Sequence, residues 1–335
     1  MPKGYNRRFL RTGLAHGVCA VIVLEDAGGF AREHGGCAAT IGKFDGVHLG
    51  HQLIIGQVVE QAKTLGLPAL AVVIEPHPEE FFAGLAGGDC PARLMGLAEK
   101  LRLLEAHGVD CCLVLGFDQA MSQTSAADYI RRILVDGLGV AALVIGGDFR
   151  FGRGREGDFA LLEERGRAFG FSVHRALDRV VDGCRVSSTA VREALAAGDF
   201  HRAGRLLGRP YAIRGPVIRG EQLGAKLGYP TCNIELPGRR IPLHGIYAGE
   251  AIVAGRAHPA AVSVGFRPTV EDAGKPLLEA YLLDFEGDLY GETIEVIFRQ
   301  KLRDEEKFDS LETLRGRIAD DVARVRQVLN SAKKP

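Results

Sequence analysis

Residues 38–66, AATIGKFDGVHLGHQLIIGQVVEQAKTLG, change period partway through. AATIG is a short apolar run of the kind a buried strand presents, and HQLIIGQVVEQAKTLG spaces its apolar residues for one face of a helix. Between the two lie Gly42, Gly46 and Gly50, with His48 and His51. A strand that turns into a helix brings free N–H groups and a partial charge of roughly +0.5 to the strand's carboxyl end. In a parallel sheet that is where ligands sit. Phosphate suits such a place: the glycines let the backbone come close, and two imidazoles add donors for charge that builds up on phosphate oxygens. A pair of capping histidines or a metal pair would also explain the imidazole spacing. Neither explains the glycines.

The same rhythm extends outward. ALAVVIE (69–75), CCLVLGF (111–117), AALVIGG (141–147) and FSVHRA (171–176) read as buried strands. The helical patterns at 93–108, 124–138 and 158–170 alternate with them. Such alternation predicts an α/β fold, a mainly parallel doubly wound sheet with helices on both faces. Two short helices across 189–207 form the connection. Beyond residue 210 the period shortens: YAIRGPVIRG, GIYAGEAIVAG, AAVSVGF, LLEAYLLDF and ETIEVIFRQKL are strands parted by Gly and Pro turns, which predicts an antiparallel β-barrel. A terminal amphipathic helix, SLETLRGRIADDVARVRQVL, follows, with Ser310 placed to cap it. The expected domains are therefore a flexible leader at 1–19, an α/β domain at 20–200 and a barrel domain at 206–331.

The chain is long enough for two cores, with 335 residues, 46% of them hydrophobic and 25% charged. Lys+Arg and Asp+Glu are both 42, so no overall field advertises nucleic acid or an acidic membrane, and any anion binding must be local. Seven cysteines without a CxxC pair argue against a disulfide framework and a zinc site. No apolar run reaches the roughly 18 residues of a membrane span. A reducing cytoplasm is the simplest location. Residues 1–17 are basic but lack a signal peptide's apolar core; an organelle-type leader is the alternative to a flexible tail.

Four further stretches bear on chemistry. In RVSSTAVREAL (185–195), Ser187, Ser188 and Thr189 sit where a helix starts and Arg192 falls one turn inside. Hydroxyls, helix-end amides and a guanidinium suit a triphosphate, although an ordinary N-cap has the same residues. GRGREG (152–157) matches GxGxxG literally, with Asp178 beyond it. DFRF parts it from its strand, so it is not read as a dinucleotide fingerprint. In GAKLGYPTCNI (224–234), strand alternation points Thr231 and Asn233 one way and Cys232 the other. Their oxygens suit Mg²⁺, a hard ion that takes oxygen ligands, and Gly224 and Gly228 leave room for phosphates. A polar edge strand is the plainer reading. Alternation along LLEAYLLDF puts Glu279 on one face with Leu277 and Tyr281, where a carboxylate needs a partner or a task. An exposed edge residue is the alternative.

GKFDGVHLGHQ, GGDFRFGRGREGD and RVSSTAVRE, in this order, resemble the adenylyltransferase half of the bacterial bifunctional riboflavin kinase/FAD synthetase family. LGYPTCN, GIYAGE, SVGFRPTV, LLEAYLLDFEGDLYG and LRDEEKF resemble its riboflavin kinase module. The resemblance implies a Rossmann-like nucleotidylyltransferase domain followed by a kinase barrel. It also implies ATP as co-substrate, a divalent ion such as Mg²⁺, and riboflavin, FMN and FAD as the other partners. His48 and His51 would stabilise the α-phosphorus transition state. Gly42, Phe44, Asp45 and Gly50, with Arg185, Ser187, Ser188, Thr189 and Arg192, would hold the nucleotide of the first reaction. Asp148, Phe149 and Arg155 would help seat the flavin. In the barrel, Gly224, Lys226 and Gly228 would meet nucleotide, Pro230 the flavin, Thr231 and Asn233 the metal, and Glu279 would be the general base. His77 and Pro78, in EPHPEEFF, match a family signature and are expected in a loop near the first site. Three departures stand out: Lys43 where many members have Asn, Ala225 where a basic residue is common, and Cys232 where the usual pattern has Ala. The expected function is phosphorylation of riboflavin to FMN and adenylylation of FMN to FAD. The alternatives are a chain that keeps one of the activities and a non-catalytic flavin- or RNA-binding regulator. Neutral charge disfavours RNA. Oligomeric state is left open.

Overall fold

The computed structural model describes residues 21–220, 223–236, 240–266 and 276–331. The leader expected at 1–19 and the RPTV of SVGFRPTV, at 267–270, lie outside the described residues. The chain divides into two compact units: one runs to Pro91 and resumes over Leu97–Val186, the other takes Ala92–Gly96 and Ser187 onward.

The first unit opens with β1 (Ile22–Leu24), α1 (Phe30–His34), β2 (Cys37–Gly42), α2 (Leu49–Leu65), β3 (Ala69–Glu75) and α3 (Pro78–Ala86). Next come α4 (Leu97–Ala106), β4 (Cys111–Gly116), and the short turns α5 (Gln119–Ser122) and α6 (Ala126–Asp128). After a π-helical stretch at Tyr129–Gly137 come β5 (Val140–Ile145), α7 (Phe159–Phe169) and β6 (Ser172–Arg175). A small hairpin, β7 (Val180–Val181) and β8 (Cys184–Arg185), completes it. The six-stranded sheet has the order β1-β4-β3-β2-β5-β6, every pair parallel. Its central strands are apolar throughout because both faces are covered. Leu70, Val72, Leu113 and Leu143 pack with Ile130 and Leu134 on one side. On the other, small Ala38, Ala69 and Ala142 meet Val58 and Ala62 of α2. The parallel sheet bears out the alternating rhythm.

Local departures have local causes. EPHPEEFF is not a loop: Pro78 starts α3, and the Glu80 carboxylate accepts from the His77 N–H at 3.1 Å. Proline at the first helical position costs no hydrogen bond, because that N–H has no helical partner anyway. The helix expected from residue 93 begins at Leu97, because Ala92–Gly96 leaves for the second unit, where the Arg93 N–H donates to the Arg240 carbonyl at 3.0 Å.

The second unit contains α8 (Ser188–Ala196), α9 (Phe200–Leu207), β9 (Ala212–Ile218), α10 (Leu223–Lys226) and β10 (Cys232–Ile234). It continues with β11 (Gly245–Val253), β12 (Arg256–Phe266), β13 (Pro276–Leu282), β14 (Thr293–Arg303) and α11 (Leu311–Ser331). Six antiparallel strands close a barrel in the order β10-β13-β12-β11-β14-β9. Closure removes the exposed edges an open sheet would carry. Val325 and Leu329 of α11 pack on Ala248, Leu283 and Leu302, and the buried Arg303–Asp321 pair ties that helix to β14 at 2.7 Å. The Ser310 hydroxyl accepts from the Thr313 N–H at 3.1 Å, as its capping position requires. α9 belongs to this unit, although the sequence rhythm changes only beyond residue 210. The Phe200 ring stacks on Phe298 and meets Tyr247 edge-on.

Candidate active sites

In the first unit β2 is where the strand order reverses, with β3 on one side and β5 on the other. The loops after β2 and β5 therefore open at the crevice where α/β sheets bind ligands. The loop after β2 is tightly wound: Phe44 (φ 47°), Gly46 (φ 89°) and Val47 (φ 37°) are left-handed. For a β-branched residue such as Val47 this conformation costs about 1–3 kcal/mol and persists only where surroundings impose it. Phe44 and Val47 are buried, which supplies that constraint.

The loop delivers His48 as the N-cap of α2, its ring Nδ1 accepting from the His51 N–H at 3.3 Å. That leaves the His48 proton on Nε2. The two imidazoles stack with centroids 3.7 Å apart at 16°, and Phe44 meets His51 edge-on at 5.3 Å. Gly50 fits closely here: a Cβ would stand 3.2 Å from the His48 ring and 3.4 Å from the Val186 carbonyl. At Gly42 a Cβ would stand 3.3 Å from the Phe44 ring. His51 Nδ1 is buried without a hydrogen-bond partner among the described residues. Such an unmet atom costs about 1–3 kcal/mol. Burial, then the charges of His48, Lys100 and Lys43, hold the His51 pKa well below the usual imidazole value. Those causes favour the uncharged imidazole. Asp45 is buried in the same loop. Lys43 pairs with Glu79 at 2.6 Å; burial would raise the Glu79 pKa, but the Lys43 hydrogen bond and charge prevail and lower it.

The loop after β5 carries Asp148 and Phe149. Arg185, on β8, donates to Asp148 at 3.0 Å and to Asp178 at 2.8 Å. Two residues that the resemblance assigns separately, to flavin and to nucleotide, are one ion-paired cluster, and Asp178 is its member that sequence reasoning used only as a spacing mark. The Arg185 hydrogen bond lowers the Asp148 pKa. Phe149 stacks on Phe151 at 5.6 Å. GRGREG closes on itself through a Phe151–Gly157 bridge around a turn at Arg153–Arg155. α7 follows directly, capped by Asp158, and Arg155 stays exposed.

Ser187 is the N-cap of α8 in the second unit, its Oγ accepting from the Ala190 N–H at 3.2 Å. Ser188 and Thr189 occupy the first turn, and the Arg192 guanidinium donates to the Ala92 carbonyl at 3.4 Å.

The barrel gathers the other constellation. Asn233 on β10 lies directly opposite Glu279 on β13, and Glu279 opposite Ser263 on β12. Thr231, two residues before Asn233, faces the same way, and its hydroxyl reaches Glu279 Oε1 at 3.5 Å. Glu279 is thus half-buried on a strand flanked on both sides, not on an edge. Cys232 pairs with Ala280 on the opposite face; burial raises its thiol pKa. Asn233 packs so closely on Gly220 that any Cβ there would overlap its amide. At Gly224 a Cβ would overlap the Tyr229 carbonyl, and Gly228 is left-handed at φ 87°. Lys226 ends α10, exposed. A cavity of about 250 Å³ adjoins Thr231, walled by Val217, Pro230, Leu282, Phe285 and Tyr290. Phe285 and Tyr290 were quoted in sequence only as part of a motif; their place in a wall depends on the barrel.

Among the described residues no group of three or more His, Cys, Asp or Glu is placed to hold a metal, and no helix is long and apolar enough to cross a membrane. The pattern of the family described as FAD synthetase matches residues 30–190, and that described as Riboflavin kinase matches 207–329. A bifunctional riboflavin kinase/FMN adenylyltransferase of Pseudomonas fluorescens is 49% identical over 294 residues, 88% of this chain and 93% of that one. The protein of the same name from Escherichia coli K12 is 42% identical over 299 residues, 89% of this chain and 94% of that one. A crystal structure named macrolide-efflux protein, from Streptococcus pneumoniae, has a TM-score of 0.72 and 26% identity, covering 92% of this chain and 99% of its own. With both family patterns in one chain and this identity along most of it, the chain belongs to the bifunctional riboflavin kinase/FMN adenylyltransferase family.

Proposed function

We propose that each of the chain's two activities has its own set of residues: His48 and His51 serve adenylylation of FMN to FAD, and Thr231, Asn233 and Glu279 serve phosphorylation of riboflavin to FMN. The cross-strand pairing of Asn233 with Glu279, with Thr231 alongside, supports this reading most directly. A base and two neutral oxygen donors on one face are what phosphoryl transfer to a hydroxyl asks for, since that chemistry is mostly positioning and electrostatics. The riboflavin 5′-hydroxyl attacks the γ-phosphorus of ATP, ADP leaves, and Glu279 takes the hydroxyl proton. Thr231 Oγ1 and the Asn233 carboxamide oxygen would hold Mg²⁺; hard oxygen donors fit that ion, which keeps waters and phosphate oxygens as its other ligands. When bound, Mg²⁺ neutralises charge on the β- and γ-phosphates. The apolar cavity by Thr231 and Pro230 suits a planar ring, with Gly224, Lys226 and Gly228 on the nucleotide side.

In the first unit an FMN phosphate oxygen attacks the α-phosphorus of ATP, and pyrophosphate leaves. His48 and His51 donate to the phosphate oxygens as charge develops, beside the amides that open α2. Gly42, Phe44, Asp45 and Gly50 shape that loop. Ser187, Ser188, Thr189 and Arg192 hold triphosphate oxygens. Asp148, Phe149 and Arg155 seat the flavin, and Arg185 meets nucleotide as it leaves its acids. A reducing, cytoplasmic setting suits the free cysteines among the described residues. The purified chain, given riboflavin, ATP and Mg²⁺, should form FMN and then FAD by chromatography. FMN alone, or neither product, would refute the pairing of sites.

A further inference from the structure

Lys100, on α4, is fully buried. Removing an ammonium from water costs several kcal/mol, and a Leu or Met would serve helix packing at that position without the penalty. Its Nζ lies 3.3 Å from Nε2 of His77 and 3.5 Å from Oε2 of Glu75. Glu75 ends β3, and His77 follows two residues later. β3 runs parallel to β2, with Val73 beside Gly42, and β2 feeds the loop that carries His48 and His51. The charge therefore lies at the same rim of the sheet as the two histidines. A second tie crosses that rim at the surface, where Lys43 of the β2 loop holds Glu79 in the first turn of α3 at 2.6 Å.

We propose that Lys100 is a positioning residue of the adenylyl-transfer site: its buried ammonium pins Glu75 and His77 at the end of β3 and, through that rim, sets where His51 stands and the field it stands in. The inference rests on the reading of His51 as a phosphate donor. The groups that act on His51 are His48 from the start of its own helix, Lys43 from the preceding loop and Lys100 from α4. Glu79 offsets Lys43, and Glu75 offsets Lys100. A neutral His51 has a use. A full imidazolium would bind the phosphates of the ground state about as well as those of the transition state, which lowers KM without raising kcat.

The test uses the full chain, with Lys100→Met, Glu75→Gln and His51→Ala beside the wild type. FAD formation from FMN is followed between pH 5.5 and 8.5. Riboflavin phosphorylation by the same preparations reports the other site. NMR of ¹³C-labelled histidine, with the His51 signal assigned by its loss in His51→Ala, reports that ring's titration. Lys100→Met should lower kcat for FAD by about 10–100-fold, as a misplaced catalytic group does, with little change in KM for ATP. The His51 midpoint should move up towards the ordinary imidazole value. A rate within twofold of wild type, or a rate loss with the His51 titration unmoved, would overturn the proposal. If Lys100→Met fails to fold, Glu75→Gln keeps the shape and should lower FAD formation about tenfold while FMN formation is unchanged; an unaltered rate would overturn it. Normal FAD formation by His51→Ala would instead remove the donor reading on which the inference stands.

Discussion

In the proposed reading, His51 and Glu279 make opposite use of a proton. His51 would donate one that it keeps, so His51→Ala should cut FAD formation by about 10²–10³-fold, the usual loss for one donor to a developing oxyanion. FMN should still accumulate, which product chromatography from riboflavin and ATP would show. Glu279 would accept a proton, and Glu279→Gln keeps its shape without its basicity. FMN formation should slow by roughly 10²–10⁴-fold, while FMN supplied directly becomes FAD at the normal rate; near-normal phosphorylation would return Glu279 to a structural role. The depressed His51 pKa also has a consequence for stability. The unfolded chain takes up a proton near pH 6.5 and the folded chain only at lower pH, so stability falls as pH drops below about 6.5, by at most about 1.4 kcal/mol per pH unit from this group. His51→Gln should flatten that part of the profile. Denaturant unfolding of both proteins at pH 7.5 and 5.5 measures it, and an identical pH dependence in the two would contradict it.

Between residues and whole units, the loops that join elements hold the side chains to their tasks. Gly220 follows β9 and leaves the space that the Asn233 amide fills. Gly220→Ala should swing that amide away, lower riboflavin phosphorylation about tenfold and raise the Mg²⁺ needed for half-maximal rate, since a loose positioning group is costly even without loss of a ligand. FAD formation from FMN should be unaffected, and an unchanged Mg²⁺ dependence of phosphorylation would show that Asn233 is not held from this side. The β2–α2 loop works by the same principle. Gly50 leaves no spare room beside the His48 ring, and the left-handed Val47 is held by burial. α3 is one of the helices that sequence reading missed. Its Pro-Glu-Glu start looks like a turn, and the feature that settles it is the Glu80 carboxylate reaching back to the His77 N–H.

For the molecule as a whole, the matter to decide is where the barrel unit begins. The family pattern starts at 207 and the proposed kinase domain at 206, while the main segment of the compact unit starts at Ser187 and includes Phe200 against Phe298 and Tyr247. A fragment from Ser187 to the C-terminus should phosphorylate riboflavin and make no FAD. One from Leu206 loses the Phe200 ring, a loss of about 3–5 kcal/mol by analogy with Phe→Ala in cores, and should melt on the order of 10 °C lower. Equal melting temperatures would assign α9 elsewhere. Much of the fold was legible before any coordinates. The parallel strands, the antiparallel barrel and the capped terminal helix follow from apolar periodicity, which each segment carries within itself. So does the separation of Cys232 from Thr231 and Asn233, because a strand alternates its faces whatever it pairs with. What remained hidden is pairing across the chain: Glu279 opposite Asn233, Arg185 between Asp148 and Asp178, Lys100 against Glu75 and His77. Strand register and helix packing set those meetings, and neither is written in the residues next to them, so sequence alone determined the elements and their faces while tertiary structure decided which side chains meet.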